Sequence, residues 1–192
     1  MRKLVHAIAL LLVFGLSAPV LAGPFEEGVA AYNKQDFATA MRLFRPLADQ
    51  GNANAQYVLG ILYDKGHGVP QDYAVAVKWY RLAADQGYAG AQNNLGVRYD
   101  EGLGVPQDYA TAVKWYRLAA DRGDANAQKN LGAMYDKGHG VPQDYVQAHK
   151  WYNLGAAAGN KDAIENRDMV AGKMTPAQIA EAQKLASAWK PK

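Results

Sequence analysis

Gly66-His67-Gly68-Val69-Pro70-Gln71-Asp72-Tyr73-Ala74-Val75-Ala76-Val77-Lys78-Trp79-Tyr80-Arg81-Leu82-Ala83-Ala84 is written again as residues 102–120 and, with more changes, as residues 138–156. The tryptophans Trp79, Trp115 and Trp151 stand at a constant step of 36 residues. A fixed period of roughly 20 to 50 residues marks stacked supersecondary units, each too small to bury its apolar face alone. The period therefore decides the fold.

The three full units run over residues 52–87, 88–123 and 124–159. The first half of each reads as a helix, with Ala55, Leu59, Leu62 and Tyr63 at helical spacing in the first copy. Asn52 and Asp124 are suited to cap it; Tyr88, at the same position of the middle copy, is not. Gly66, Gly102 and Gly138 permit a left-handed cap where that helix ends. Val69-Pro70 turns the chain, because a residue before proline is pushed out of the helical region. Asp72, Asp108 and Asp144 then cap a second helix, on which Ala76, Tyr80 and Ala83 share a face beside Trp79. Small alanines allow close helix approach, and aromatic rings fill the wedge between units.

Working outward, residues 23–51 form a shortened first unit. Gly28 and Phe37 are nine apart where Gly60 and Tyr73 are thirteen, so four residues are missing from its internal loop. At the other end, residues 161–171 look like a degraded first helix. Thr175-Pro176-Ala177-Gln178 has a capping-box pattern with proline at the first helical position. It opens an amphipathic helix from Pro176 to about Trp189 that reads as a lid on the last unit, within a closing region of residues 160–192. A docking helix for a second protein is the alternative reading. Residues 1–22 have the order of a secretory signal: Arg2 and Lys3, an apolar centre from Leu4 to Leu16, and Val20-Leu21-Ala22 before Gly23. The apolar centre is short, carries His6 and is broken by Gly15 and Pro19, whereas a membrane span needs about 20 apolar residues. Removal of the signal leaves a periplasmic or secreted chain with no stable membrane insertion.

The repeat unit, Ala-x-Ala-Gln-x-x-Leu-Gly-x-x-Tyr followed by Gly-x-Gly-Val-Pro-Gln-Asp-Tyr and Ala-x-Lys-Trp-Tyr-x-x-Ala-Ala-x-x-Gly, resembles the Sel-one-like repeat, a relative of the tetratricopeptide repeat with a longer internal loop. The resemblance covers residues 52–159; the short unit at 25–51 looks more like an ordinary tetratricopeptide repeat. The ending from Asn166 through Met174 to Trp189 is similar to the closing helices of bacterial members. The resemblance implies an all-α, right-handed α-solenoid of about four helix pairs with a C-terminal capping helix. It also implies an adaptor function, as relatives are scaffolds, regulators and interaction partners in the bacterial envelope. A cysteine-rich subgroup is linked to β-lactam binding and hydrolysis; this chain has no cysteine.

Composition narrows the chemistry further. Without cysteine there are no disulfides, thiolate metal sites or cysteine nucleophiles. Lys+Arg is 21 against 18 acidic residues; without Arg2 and Lys3 it is 19, leaving +1 and no basic track for nucleic acid. Past residue 22 the one serine is Ser187, and nothing places His67, His139 or His149 within the ~3 Å that a serine nucleophile requires. His67 and His139 each sit in Gly-His-Gly but lie two units apart. At about 8–10 Å per layer that separates them by roughly 20 Å, too far for one metal whose ligands lie about 2 Å away. No catalytic residue, cofactor or metal site is expected. The aromatic pairs Trp79-Tyr80, Trp115-Tyr116 and Trp151-Tyr152 fit core wedges better than a stacking platform.

Comparing the copies gives the candidate site. Ala55, Gln56, Leu59, Gly60 and Tyr63 have identical partners 36 and 72 residues on. Asn54, Tyr57, Ile61 and Lys65 differ, becoming Gly90, Asn93, Val97 and Glu101, then Asn126, Lys129, Ala133 and Lys137. Spacings of three and four put them on one helical face, with Asp64, Asp100 and Asp136 beside them. A face that varies while its neighbours do not is expected to be open. In tetratricopeptide proteins the corresponding face lines the concave groove. The expectation is a monomeric, non-enzymatic exported adaptor gripping a peptide or protein partner there through a polar lining. A merely solvated stripe is the other reading of that face. Two rival functions remain: a protein that binds or hydrolyses β-lactams or cell-wall fragments, and a structural subunit of an envelope assembly.

Overall fold

A computed structural model describes residues 23–192; the expected signal at residues 1–22 lies outside them. The described residues form ten helices and no strand: α1 (Pro24–Asn33), α2 (Phe37–Asp49), α3 (Ala53–Lys65), α4 (Tyr73–Asp85), α5 (Ala89–Glu101), α6 (Tyr109–Asp121), α7 (Ala125–Lys137), α8 (Tyr145–Ala157), α9 (Lys161–Ala171) and α10 (Pro176–Ser187). From α1 to α9 each helix packs on the one before and the one after. Odd-numbered helices form one row and even-numbered helices the other, as a stacked helical-repeat solenoid requires. None of the helices is long and apolar enough to cross a membrane.

The helix ends follow from the residues identified above. Asn52, Asp72, Asp108, Asp124 and Asp144 each accept a backbone N–H from three residues on. Tyr88 makes no side-chain cap. Gly66, Gly102 and Gly138 close α3, α5 and α7 in the left-handed region, with φ of 68°, 71° and 71°. Thr175 and Gln178 complete the capping box of α10, which stops at Ser187, two residues short of the expected end.

Within a unit the tyrosine, not the tryptophan, sets the helix spacing. Tyr80, Tyr116 and Tyr152 are buried against Gly60, Gly96 and Gly132 of the preceding helix. A Cβ on Gly96 would stand 2.7 Å from the Tyr116 ring, which is why Leu-Gly recurs in every full copy. Burial drives the Tyr80, Tyr116 and Tyr152 hydroxyls well above the usual phenol range. Trp79 and Trp115 instead reach back to the unit before, packing on clusters that contain Phe44 and Leu59, and Tyr80 and Leu95.

Between units the repeated glutamine supplies a polar clasp. The Gln56, Gln92 and Gln128 amides donate to the carbonyls of Ala48, Ala84 and Ala120 at 3.1, 3.1 and 3.2 Å. These carbonyls lie in the last turn of an even helix, where each also accepts the N–H of the glycine three residues on, and the amide adds a second bond. The Gly-x-Gly loop adds a hook. A Cβ on Gly104 or Gly140 would come within 2.4 Å of the Tyr73 or Tyr109 backbone, so the loop lies directly on the start of the preceding even helix. The histidines of that loop stack on the same place: His67 on Phe37 at 4.2 Å and His139 on Tyr109 at 4.4 Å. The expected lid also forms. The main partner of α10 is α8, and Trp189 meets Trp151 edge-on at 6.5 Å.

Candidate functional site

The variable stripe lies along the odd-numbered row, and the structure divides it. Asn54, Lys65, Glu101, Asn126 and Lys137 are exposed. Tyr57, Ile61, Val97, Asp100, Lys129 and Asp136 are half-buried. Asp64 and Asn93 are buried, at 6% and 8% exposure. For those two the expectation of an open face is overturned.

The cause is pairing between neighbouring units. Asn130 donates to Asn93 at 3.0 Å, and Asn93 in turn to Asn94 at 3.2 Å. Asp64 faces the Arg98 guanidinium of the next odd helix at 3.2 Å. Lys129 pairs with Asp162 at 3.4 Å, and Asp136 with Lys173 at 2.8 Å. Asn160 donates to Asn126 at 2.9 Å. Tyr57 packs against Tyr88 at 4.7 Å and Tyr80 at 6.1 Å, and burial raises its hydroxyl pKa, with Tyr88 and Asp124 adding to the rise. The varying positions among these, Tyr57, Asn93, Asn126 and Lys129, each meet a different partner at their own boundary, whereas Asp64 and Asp136 are the same residue in every copy. Variation there does not mean freedom from packing, so the premise behind the stripe fails at most of its middle.

One hollow does open on this row, at its amino-terminal end. Val29 and Tyr32 of α1, Phe44 of α2, and Val58 and Ile61 of α3 enclose about 160 Å³. Its lining is apolar, in contrast to the polar groove expected from Asn, Lys and Asp. Val29 is exposed at its rim. Of the stripe, Ile61 lines it directly. Val29 and Tyr32 lie in the shortened first unit, outside the three full copies that define the stripe, and Val58, which becomes Asn94 and Asn130, lies beside the four positions compared. Residues Asn54 and Lys65 lie exposed on the same α3 helix.

Elsewhere the titratable groups are dispersed. Ser187 donates its hydroxyl to the Gln183 carbonyl of its own helix at 2.9 Å. Among the described residues no group of three or more His, Cys, Asp or Glu side chains is arranged to hold a metal ion. His67 and His139 are occupied in the loop stacking described above, and His149 is buried on α8.

Residues 27–52, 53–88, 89–124 and 125–160 match the family model described as Sel1 repeat, so the short first unit is included. The crystal structure of a Sel1 repeat protein from Oxalobacter formigenes is similar, with a TM-score of 0.75 and 32% identity over 86% of this chain and 68% of that one. So is that of c5321, a protective antigen present in uropathogenic Escherichia coli strains and displaying an SLR fold. There the TM-score is 0.62 and the identity 30%, over 86% of this chain and 44% of the other. No curated protein matches the sequence. Sel1 repeat proteins are generally protein-interaction scaffolds, and the fold is typically non-catalytic. With four matched repeats over most of its length and a paired-row helical architecture, the chain belongs to the Sel1 repeat family.

Proposed function

We propose that the chain is an exported, non-catalytic adaptor that holds a peptide segment of a partner protein along its odd-numbered helices. The hollow between α1, α2 and α3 carries this reading: an apolar side chain of the partner seats among Val29, Tyr32, Val58 and Ile61. The exposed Asn54 and Lys65 supply polar contacts beside it. An extended ligand laid along a row touches several units in turn, each contributing modestly. Export rests on the order of charge, apolar run and small residues in residues 1–22.

The test places a photo-crosslinking residue at position 29 in cells of the source organism, with position 181 on α10 as a control. A discrete adduct from position 29 that disappears on Ile61→Asp, with the helical circular-dichroism signal intact, is the expected result. Equal labelling from both positions defeats the assignment. Amino-terminal sequencing of the cell-envelope protein is expected to begin at Gly23, and a retained Met1 in that fraction defeats export with cleavage.

A further inference from the structure

Three equivalent grooves lie on the even-numbered row. Each is bounded by the C-terminal end of one even helix and by the tryptophan and leucine of the next. Their residues correspond at steps of 36: Asp49, Gly51, Trp79 and Leu82; Asp85, Gly87, Trp115 and Leu118; Asp121, Gly123, Trp151 and Leu154. They differ in what fills them.

The third groove is filled by the chain's own C-terminal segment. Trp189 meets Trp151 edge-on, packs with Leu154 against one core cluster, and brings its Cη2 to 4.0 Å from where a Cβ on Gly123 would stand. Three residues on, the Lys192 backbone N–H donates to the Asp121 carbonyl at 2.8 Å, and its ammonium lies 2.7 Å from the Asp121 carboxylate. Trp151 is left only 4% exposed. In the first groove Arg45 lies over the tryptophan, its guanidinium 5.3 Å from the centre of the Trp79 ring and held by Asp49 at 3.0 Å. Gln86 reaches across it to Gln56 at 2.7 Å.

The second groove has neither an arginine over its tryptophan nor a C-terminal segment; Arg122, the counterpart of Gln86, lies against Gly87 and donates to the Leu118 carbonyl at 3.4 Å. Arg81, the counterpart of Arg45, turns instead to the ring and hydroxyl of Tyr99. What remains is a cavity of about 350 Å³ bounded by Asp85, Gly87, Trp115, Leu118 and Arg122, within the ~300–1,000 Å³ typical of ligand sites. Leu118 is 43% exposed and Trp115 half-buried, as Leu82 at 47% and Trp79 are in the first groove, whereas Trp151 is covered; the cavity beside its tryptophan is what sets the second groove apart.

We propose that this second groove docks a segment of a different protein carrying an aromatic side chain followed, three residues on, by lysine or arginine. The Trp189-to-Lys192 segment in the third groove is the template: ring against tryptophan and leucine, cation on the aspartate. Two features of the open groove sharpen the specification. Asp85 is an exposed carboxylate with no ion pair among the described residues, so it is available to the cation. Arg122 stands where the filled groove has Ala158, and its guanidinium lies 3.1 Å from a Cβ position on Gly87. Arg122 is exposed and lies where the tip of the Trp189 ring lies in the third groove, so an incoming ring stacks on its guanidinium, and a cation there favours an aromatic face over an aliphatic side chain. A second copy of this chain is the weaker occupant. Every copy already seats its C-terminal segment in its own third groove, and exchange between copies would refill that groove and leave the second open. The proposal concerns the even-numbered row and stands apart from the hollow on the odd-numbered one.

The test titrates the full chain into a fluorescein-labelled peptide with the sequence of residues 175–192 and follows anisotropy. Saturable binding is expected, weakened about tenfold or more by Leu118→Arg, by Asp85→Lys, or by serine in place of the peptide's tryptophan, as for a central anchor contact. Leu82→Arg, at the same position of the first groove, is expected to leave binding unchanged. Leu82 and Leu118 are both exposed, so each variant retains its core, which circular dichroism verifies. Binding that survives Leu118→Arg overturns the proposal, since the peptide is then displacing the chain's own segment from the third groove. Absence of binding at millimolar peptide overturns it too. Self-association without peptide that is abolished by Leu118→Arg would give the groove to a second copy and overturn the foreign occupant.

Discussion

Arg98 on α5 places its Nη1 3.2 Å from Oδ1 of Asp64 on α3, with both side chains almost out of solvent. Its Nη2 reaches Glu101 at 2.9 Å, and the guanidinium lies 5.3 Å from the centre of the Tyr73 ring. One arginine thus joins two units at once. Removing one member of a buried pair strands the other charge at a cost of roughly 3–5 kcal/mol, whereas replacing both with apolar groups is often neutral. Arg98→Met is therefore expected to lower the urea midpoint sharply, and Asp64→Leu added to it to restore most of the loss. A double variant no more stable than the single one would mean the pair does not bridge the units.

The Tyr116 ring leaves no room for a methyl group on Gly96. Gly96→Ala forces ring and helix apart, and overpacking of this kind costs about 1–3 kcal/mol despite the better helix propensity of alanine. Chemical denaturation at neutral pH measures this directly. A stabilised variant would show that the α5–α6 spacing yields without cost.

His149 occupies the position of Val77 and Val113, buried on α8 with no hydrogen-bond partner at Nδ1. Burial lowers its pKa below the ordinary 6.5; Arg167 lowers it further and Asp168 opposes. The unfolded chain then takes up a proton that the folded chain resists. His149 contributes full stability above about pH 6.5, and that contribution declines as pH falls toward the depressed folded value. His149→Val is expected to shrink the gap in melting temperature between pH 7 and pH 5, read by thermal circular dichroism. An unchanged gap would place the acid sensitivity elsewhere.

Trp189→Ala is expected to loosen the C-terminal segment and uncover Trp151. A fully buried tryptophan is worth about 3–5 kcal/mol on truncation to alanine, and Trp189 is half-buried, so about 2 kcal/mol is expected. The emission of the remaining tryptophans should shift to the red. A blue or unmoved spectrum would show that Trp151 has another cover.

The fold was legible because its determinants are local. Asp72 needs only Val75 to be a cap, Gly66 only its own positive φ, and the capping box only Thr175 and Gln178. The candidate face was legible only in outline. Comparing copies reveals that Tyr57, Asn93 and Lys129 differ, but not that Asn93 is matched to Asn130 of the next unit or Lys129 to Asp162. Those partners sit 37 and 33 residues away, at positions that also vary, so two linked changes read as two free ones. The repeat shows Gln56 as fixed. Its carbonyl partner Ala48, in the unit before, emerges only when the rows are stacked.

The glycine hook has a bearing on how chains of this kind change length. Gly140 lies on the backbone at Tyr109 as Gly104 lies on that at Tyr73, the same backbone-level contact one unit apart. Excising residues 88–123 would set Gly140 against Tyr73 and find a surface that already fits. A deletion within the full copies that is not a whole number of 36-residue units would break this backbone register. Lengthening or shortening is thereby quantised, and the only seams to be re-sewn are the pairs peculiar to each boundary.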